Sequence, residues 1–126
     1  MAILVRRHGA SAHHAEQRGS GTILAVSLAL VVLLTMALIL LLAQAAVMAS
    51  RAATAADLAA LAGADALRGI TTGVPCVVAA DVASRHGAVM TSCHLGPEQS
   101  VDVRTSTIQS SLVGPATGHS RAGPPP

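Results

Sequence analysis

Aromatic side chains are missing from this 126-residue sequence, which contains no Phe, Tyr or Trp. Proteins that bind single-stranded nucleic acids usually stack the bases on such rings, so the composition argues against that function. A transmembrane protein normally carries Trp and Tyr at the two membrane interfaces. A membrane segment in this chain would instead depend on arginines, whose charged heads reach the interface while their stems stay in lipid.

Lysine is absent too, and the eight basic residues are all arginines, scattered over a chain of net charge +2. No basic patch therefore follows a phosphate backbone. The six acidic residues are equally dispersed, and no pair of them has the spacing of an acid–base couple. Three N-terminal histidines fit no zinc pattern: His8, His13 and His14. We predict a protein that is not an enzyme, has no metal or cofactor, and binds neither nucleic acid nor a small-molecule substrate.

Charge is absent from one long stretch, the roughly 32 residues between Arg18 and Arg51. As a helix this stretch would be ~48 Å long, whereas the hydrocarbon core of a bilayer is ~30 Å thick. Its richest part, residues 23–42, holds fourteen Leu, Ile or Val side chains. Together these favour insertion into a bilayer by roughly 4 to 8 kcal/mol. The hydroxyls of Ser27 and Thr35 can bond a carbonyl one turn earlier. We predict a transmembrane helix, because a chain this short has no second layer to bury a helix that is apolar on every side.

The charges that flank this segment predict its orientation. Arg6, Arg7 and Arg18 precede it, whereas Arg51 is followed by acidic residues. The positive-inside rule then predicts a cytoplasmic basic tail at residues 1–18 and an extracytoplasmic C-terminal part.

A secretory signal peptide is the alternative to a permanent anchor. Ala43-Gln44-Ala45 has the small-x-small form of a cleavage site. The apolar region before it is about 20 residues long, which exceeds the ~7–15 residues of an ordinary signal peptide. Processing after Ala45 would release a small secreted protein.

The helix is expected to continue beyond the membrane. No Gly or Pro occurs from Thr22 to Ala62, and the stretch after Arg51 is rich in alanine, the strongest helix former. We predict one transmembrane and extended helix over residues 19–69, with its start at the glycines Gly19 and Gly21. The small side chains allow a neighbouring helix to approach closely.

The rest of the chain predicts a small domain at residues 70–113. Pro75 fits the first turn of a second helix that reaches His86, and Gly87 fits its left-handed cap. Apolar residues then alternate in two runs that predict a hairpin with a turn at residues 96–99: Val89, Thr91, Cys93 and Leu95 in the first, and Val101, Val103 and Thr105 in the second. The fold class is therefore α+β, a long helix followed by a short helix that packs on a β-hairpin.

The C-terminal region carries weaker signals. Residues 108–113 fit a weak edge strand, and the Pro- and Gly-rich residues 114–126 predict a disordered tail.

The two cysteines, Cys76 and Cys93, are expected to meet between the second helix and the first strand. A disulfide there would close a loop of about 17 residues and contribute ~3 kcal/mol. Two free buried thiols are the alternative, and a Cys–His nucleophile pair with His86 or His94 is a further one.

The sequence also resembles a known family. The residues that carry the likeness are the Arg18-Gly-Ser-Gly-Thr opening, Arg51, and the run Ala55-Ala-Asp-Leu-Ala-Ala-Leu-Ala-Gly-Ala64. They are similar to the N-terminal segment of TadE/TadG-like proteins, pseudopilin-like components of tight-adherence pilus and secretion systems. Pro75-Cys76, Cys93 and the Val-Asp-Val strand resemble the short actinobacterial group of TadE-like proteins encoded beside secretion genes.

The resemblance covers residues 18–105 and implies a membrane protein that contacts other helices of a pilus or secretion assembly, or other copies of itself. Pilin-like precursors are typically cut after a glycine, with a glutamate five residues further on. A cut after Gly21 would place Val26 there, and a cut after Gly19 would place Leu24. The resemblance therefore implies an accessory or minor component rather than a major pilin.

Overall fold

The structure, a computed structural model, describes the backbone of residues 11–125 and the side chains of residues 19–125. It confirms the α+β class. Two helices are followed by three strands, with these bounds: α1 Ser11–Leu67, α2 Pro75–Arg85, β1 Ala88–Gly96, β2 Ser100–Thr107 and β3 Thr117–Ala122. The chain divides into two compact units, Met1–Leu41 and Leu42–Pro126. We call the second one the head unit.

Helix α1 is longer at its N-terminal end than predicted. It begins at Ser11 and passes through Gly19 and Gly21 without a break, so the predicted start at these glycines is wrong. A glycine inside a helix costs only about 1 kcal/mol relative to alanine, which does not end a helix that continues on both sides.

The C-terminal end of α1 is close to the prediction. Gly69 adopts a left-handed φ of 76°. The Gly69 amide donates to the Ala66 carbonyl, and the Ile70 amide donates to the Asp65 carbonyl at 2.9 Å. This pair of bonds is a Schellman motif, which satisfies the last carbonyls of the helix.

The core of the head unit is built on alanine. The C-terminal part of α1 presents a buried face to α2 and to the sheet: Ala52, Ala55, Ala56, Ala59, Ala60 and Ala64. Ala79 and Ala83 of α2 complete it from the other side. A Cβ on Gly63 would lie only 3.2 Å from the Val101 side chain. Small residues on α1 therefore let the sheet approach the helix backbone closely.

The sheet is antiparallel with the order β1-β2-β3. Its central strand β2 faces the helices through Val101, Val103 and Thr105, which are fully buried and confirm the predicted inner face. The predicted turn at residues 96–99 is confirmed, and in it Glu98 and Gln99 adopt left-handed φ of 58° and 57°. Pro75 and Gly87 also have their predicted places, at the first turn of α2 and in the left-handed region with φ of 73°.

The predicted inner face of β1 is wrong in part. The pairing with β2 shifts between Met90 and Ser92, so Thr91 is an extra residue in a β-bulge. A bulge reverses the alternation of faces along its strand. Cys93 is opposite the inner residue Val103, but Val89 is exposed. Leu95 is also exposed, at the far end of this edge strand.

The predictions for the C-terminal region are wrong as well. Residues 108–113 form no regular strand, and Thr117–Ala122, within the region predicted to be disordered, pairs with β2 as β3. Strand β3 needs few apolar side chains because backbone hydrogen bonds hold it and Gly118 packs against α1. A Cβ on Gly118 would collide with the carbonyl oxygen of Ala52.

Candidate functional site

Within the described residues, most of the apolar segment of α1 is uncovered. The large hydrophobic side chains from Ile23 to Leu42 are 54–72% exposed, except for Leu41, which is half-buried. The described part of α1, Gly19–Leu67, is long and apolar enough to cross a membrane, and its most apolar window is 0% buried. An apolar surface of this size is far larger than the patches found on water-soluble monomers.

The polar groups of this segment are satisfied inside the helix, as predicted. The Ser27 hydroxyl donates to the Leu24 carbonyl at 2.9 Å, and the Thr35 hydroxyl donates to the Val32 carbonyl at 2.8 Å. Such bonds remove the cost of burying a hydroxyl in hydrocarbon.

The two flanking arginines differ in what the structure describes. Both belong to α1, but the Arg18 side chain lies outside the described residues, as do Arg6, Arg7 and the side chains of His8, His13 and His14. Arg51 is exposed and lines a shallow cavity of the head unit with Met48 and Ile108.

The three candidate processing positions all lie inside α1. Among the described residues, nothing approaches within 4 Å of a Cβ built on Gly19 or Gly21, and Ala45 is half-buried. A peptidase would therefore have to act on a helical stretch, or before the helix forms.

Cys76 and Cys93 form a disulfide with a Cα–Cα distance of 5.9 Å, which confirms the predicted pairing. The bond joins the first turn of α2 to the inner face of β1. Because both sulfurs are used, the alternative pairing of a free thiol with His86 or His94 finds no free cysteine among the described residues.

An ion pair on the outer face of the sheet was not predicted. His119 of β3 approaches both carboxylate oxygens of Asp102 on β2, at 2.9 and 3.0 Å. The hydrogen bond with His119 lowers the pKa of Asp102, and the positive charges of His119, Arg104 and Arg121 act in the same direction, whereas desolvation opposes them. The sequence signal that could have predicted β3 is the alternation of His119 and Arg121 with small residues.

A second missed contact fixes the sheet to α1. The Thr105 hydroxyl, fully buried, donates to the Ala52 carbonyl at 3.0 Å. This bond crosses 53 residues of sequence, and sequence periodicity predicts only which face Thr105 occupies.

A row of apolar side chains lies on the part of α1 that turns away from the core of the head unit. Val47, Leu58 and Leu61 are separated by eleven and three residues, which places them on one side of a helix, and all three are exposed. We call these three residues the outer row. It is a candidate surface for contact with another helix.

Among the described residues, no group of His, Cys, Asp or Glu side chains could hold a metal ion. Comparison with protein-family models, with curated proteins and with solved structures found no match for the chain.

Proposed function

We propose that this protein is a single-pass membrane protein, anchored by α1 with its N-terminus in the cytoplasm, that acts as a TadE-like accessory or minor component of a pilus or secretion assembly. The observation that carries the proposal is the exposed apolar segment of α1, whose most apolar window is 0% buried, in one helix with residues of a small folded domain. Lipid, or neighbouring helices in lipid, would cover a surface that the described chain leaves open.

The arginine distribution and the disulfide support the orientation. Arg6, Arg7 and Arg18 favour a cytoplasmic N-terminus. The head unit is then extracytoplasmic, where a disulfide persists because thiols are not kept reduced.

The assembly role rests on the resemblance of residues 18–105 and on the outer row. An apolar row on a helix that leaves the membrane can pack against another helix, which would belong to another component or to a second copy. Alanines beside the row permit close approach.

A photo-crosslinking amino acid at Leu61, in the chain expressed in its native cells, tests this role. We expect crosslinks to membrane components of a pilus or secretion machine, or to a second copy. Val89, exposed on the bulged strand β1, is the matched control position. The same crosslinked proteins from Leu61 and Val89 would contradict a role for the outer row.

A second candidate is a small secreted protein released by cleavage after Ala45. One observation favours it: the buried alanine face begins at Ala52, so cleavage would remove no residue of the core. Mass spectrometry of the mature N-terminus separates the two functions. Ala46 as first residue would support the secreted protein and contradict the anchor.

A further inference from the structure

Strand β2 runs along the head-unit part of α1, from Gly63 to Ala52. Near its start, Val101 lies against Gly63, and near its end the Thr105 hydroxyl bonds the Ala52 carbonyl. Beyond β2, Ile108 and Gln109 line a cavity with Met48 and Arg51. The chain therefore leaves β2 beside the residues of α1 where the uncharged segment ends.

The connection that follows, residues 108–116, presents apolar side chains to its surroundings. We call it the 108–116 turn. Leu112 is 90% exposed, Val113 76% and Ile108 62%. No charged residue occurs between Arg104 and His119. The strands on either side of the turn, in contrast, carry the exposed charged residues Arg104 and Arg121.

Hydrogen bonds within the turn pair part of the backbone at its tip. The amide of Ser111 donates to the Gly114 carbonyl at 3.2 Å, and the Gly114 amide returns a bond to Ser111 at 2.9 Å. The Ser111 hydroxyl donates to the Gly114 carbonyl and accepts from the Val113 amide. At the base, Thr107 and Ala116 exchange further bonds. Each of these bonds lowers the cost of moving the tip out of water, because unpaired backbone groups are what make a loop expensive to bury.

We propose that the 108–116 turn is a second membrane contact, which inserts Leu112 and Val113 at the boundary between lipid headgroups and acyl chains beside the exit of α1. The inference rests on the proposed membrane anchor and goes beyond it. The occupant is lipid because the turn is uncharged, its tip is partly paired, and its first residues, Ile108 and Gln109, lie beside Met48 and Arg51, where the uncharged segment ends. The strength with which apolar side chains bind a membrane interface grows with the apolar area that they bury in it.

Depth-dependent quenching in proteoliposomes tests the contact. Both native cysteines are bridged, so a single new cysteine can carry a nitrobenzoxadiazole label in the full-length chain. Three variants are needed: Val113→Cys in the turn, Leu95→Cys as the matched exposed position where β1 ends near Val101, and Leu33→Cys inside the span. The vesicles contain phosphatidylcholine and phosphatidylglycerol, with doxyl quenchers on lipids at shallow or deep positions. Resistance of the Cys76–Cys93 pair to alkylation before reduction shows that each variant is folded.

We expect the label at position 113 to lose most of its fluorescence with the shallow quencher, the label at 33 to respond to the deep quencher, and the label at 95 to respond to neither.

If position 33 is quenched while 113 behaves like 95, the second contact is wrong and the anchor stands. If 113 is shielded from aqueous iodide but not quenched by either lipid, another copy of the chain covers the turn and the lipid contact is also wrong. If position 33 itself is not quenched, the anchor fails, and the second contact fails with it.

Discussion

At the scale of single residues, the contact between α1 and the sheet depends on atoms that the side-chain pattern does not reveal. The Ala52 carbonyl accepts a hydrogen bond from the Thr105 hydroxyl, and the backbone of Gly118 packs against the same peptide group. Gly118 is needed there for its lack of a side chain, since it has no positive φ. The close approach of β3 to α1 depends on that absence.

Replacement of Gly118 by alanine is expected to destabilise the head unit by about 1–3 kcal/mol, the usual cost of forcing a methyl group into a filled space. The urea midpoint of the head unit, followed by methyl NMR of Val101 and Val103 in detergent micelles, measures the effect. Gly21→Ala is the matched control, because a Cβ there meets nothing within 4 Å. Equal midpoints for the two variants would contradict the packing at Gly118.

The Asp102–His119 pair predicts a dependence of stability on pH. The folded-state pKa of Asp102 is lowered, so its contribution is present above the ordinary carboxyl pKa of about 4 and is lost as the pH falls through the lower folded-state value. Wild type should have a higher urea midpoint than Asp102→Asn at pH 6, and the difference should disappear in strong acid. In a His119→Gln background the difference at pH 6 should be smaller, because only Arg104 and Arg121 then lower the Asp102 pKa. A difference that persists in strong acid would mean that Asp102 acts through something other than its charge.

At the scale of elements, the disulfide holds α2 to β1. Its loss through the double substitution Cys76→Ser and Cys93→Ser should destabilise the head unit by about 3 kcal/mol, because the unfolded chain regains the freedom of a 17-residue loop. The same urea midpoint measures it. A reductant should lower the midpoint of the wild type and leave the double variant unchanged. The prediction fails if oxidised wild type and variant unfold at the same urea concentration.

The elements that repeat a strong pattern could be predicted from the sequence. Residues 23–42 predicted a long apolar helix able to span a membrane, and the alternation of Val101, Val103 and Thr105 indicated the inner face of β2. The bulge at Thr91 could not be predicted, because an extra residue in one strand depends on the pairing with its neighbour. Strand β3 was missed since its stability comes from backbone pairing and from the fit of Gly118, and neither gives a hydrophobic period.

The candidate surfaces show the same division. The uncharged segment and the cysteine pair could be predicted from composition and spacing. The exposed turn could not, because the place of its first residues, Ile108 and Gln109, beside Met48 follows from the direction in which β2 crosses α1.

At the scale of the whole molecule, the apolar segment is expected to hold the chain in the membrane. The substitutions Leu30→Arg and Leu34→Arg place two arginines at the centre of the segment, and each makes insertion into the bilayer less favourable by about 2.5–3.5 kcal/mol. Together they offset most or all of the roughly 4 to 8 kcal/mol that favours insertion. We expect this variant to leave the carbonate-resistant membrane pellet. Ala53→Arg with Thr54→Arg, exposed on α1 beyond Arg51, should remain there. Retention of both variants in the pellet would show that the anchor lies elsewhere.

The alanine-built core has a thermal consequence. Its largest fully buried side chains are only Val101, Val103 and Thr105, so unfolding exposes little apolar surface for each residue. The heat capacity change of unfolding, which grows with that surface, is then small, and the curve of stability against temperature is broad and flat. A head unit held by backbone contacts and one covalent bond would keep nearly the same stability in the cold as in the warm.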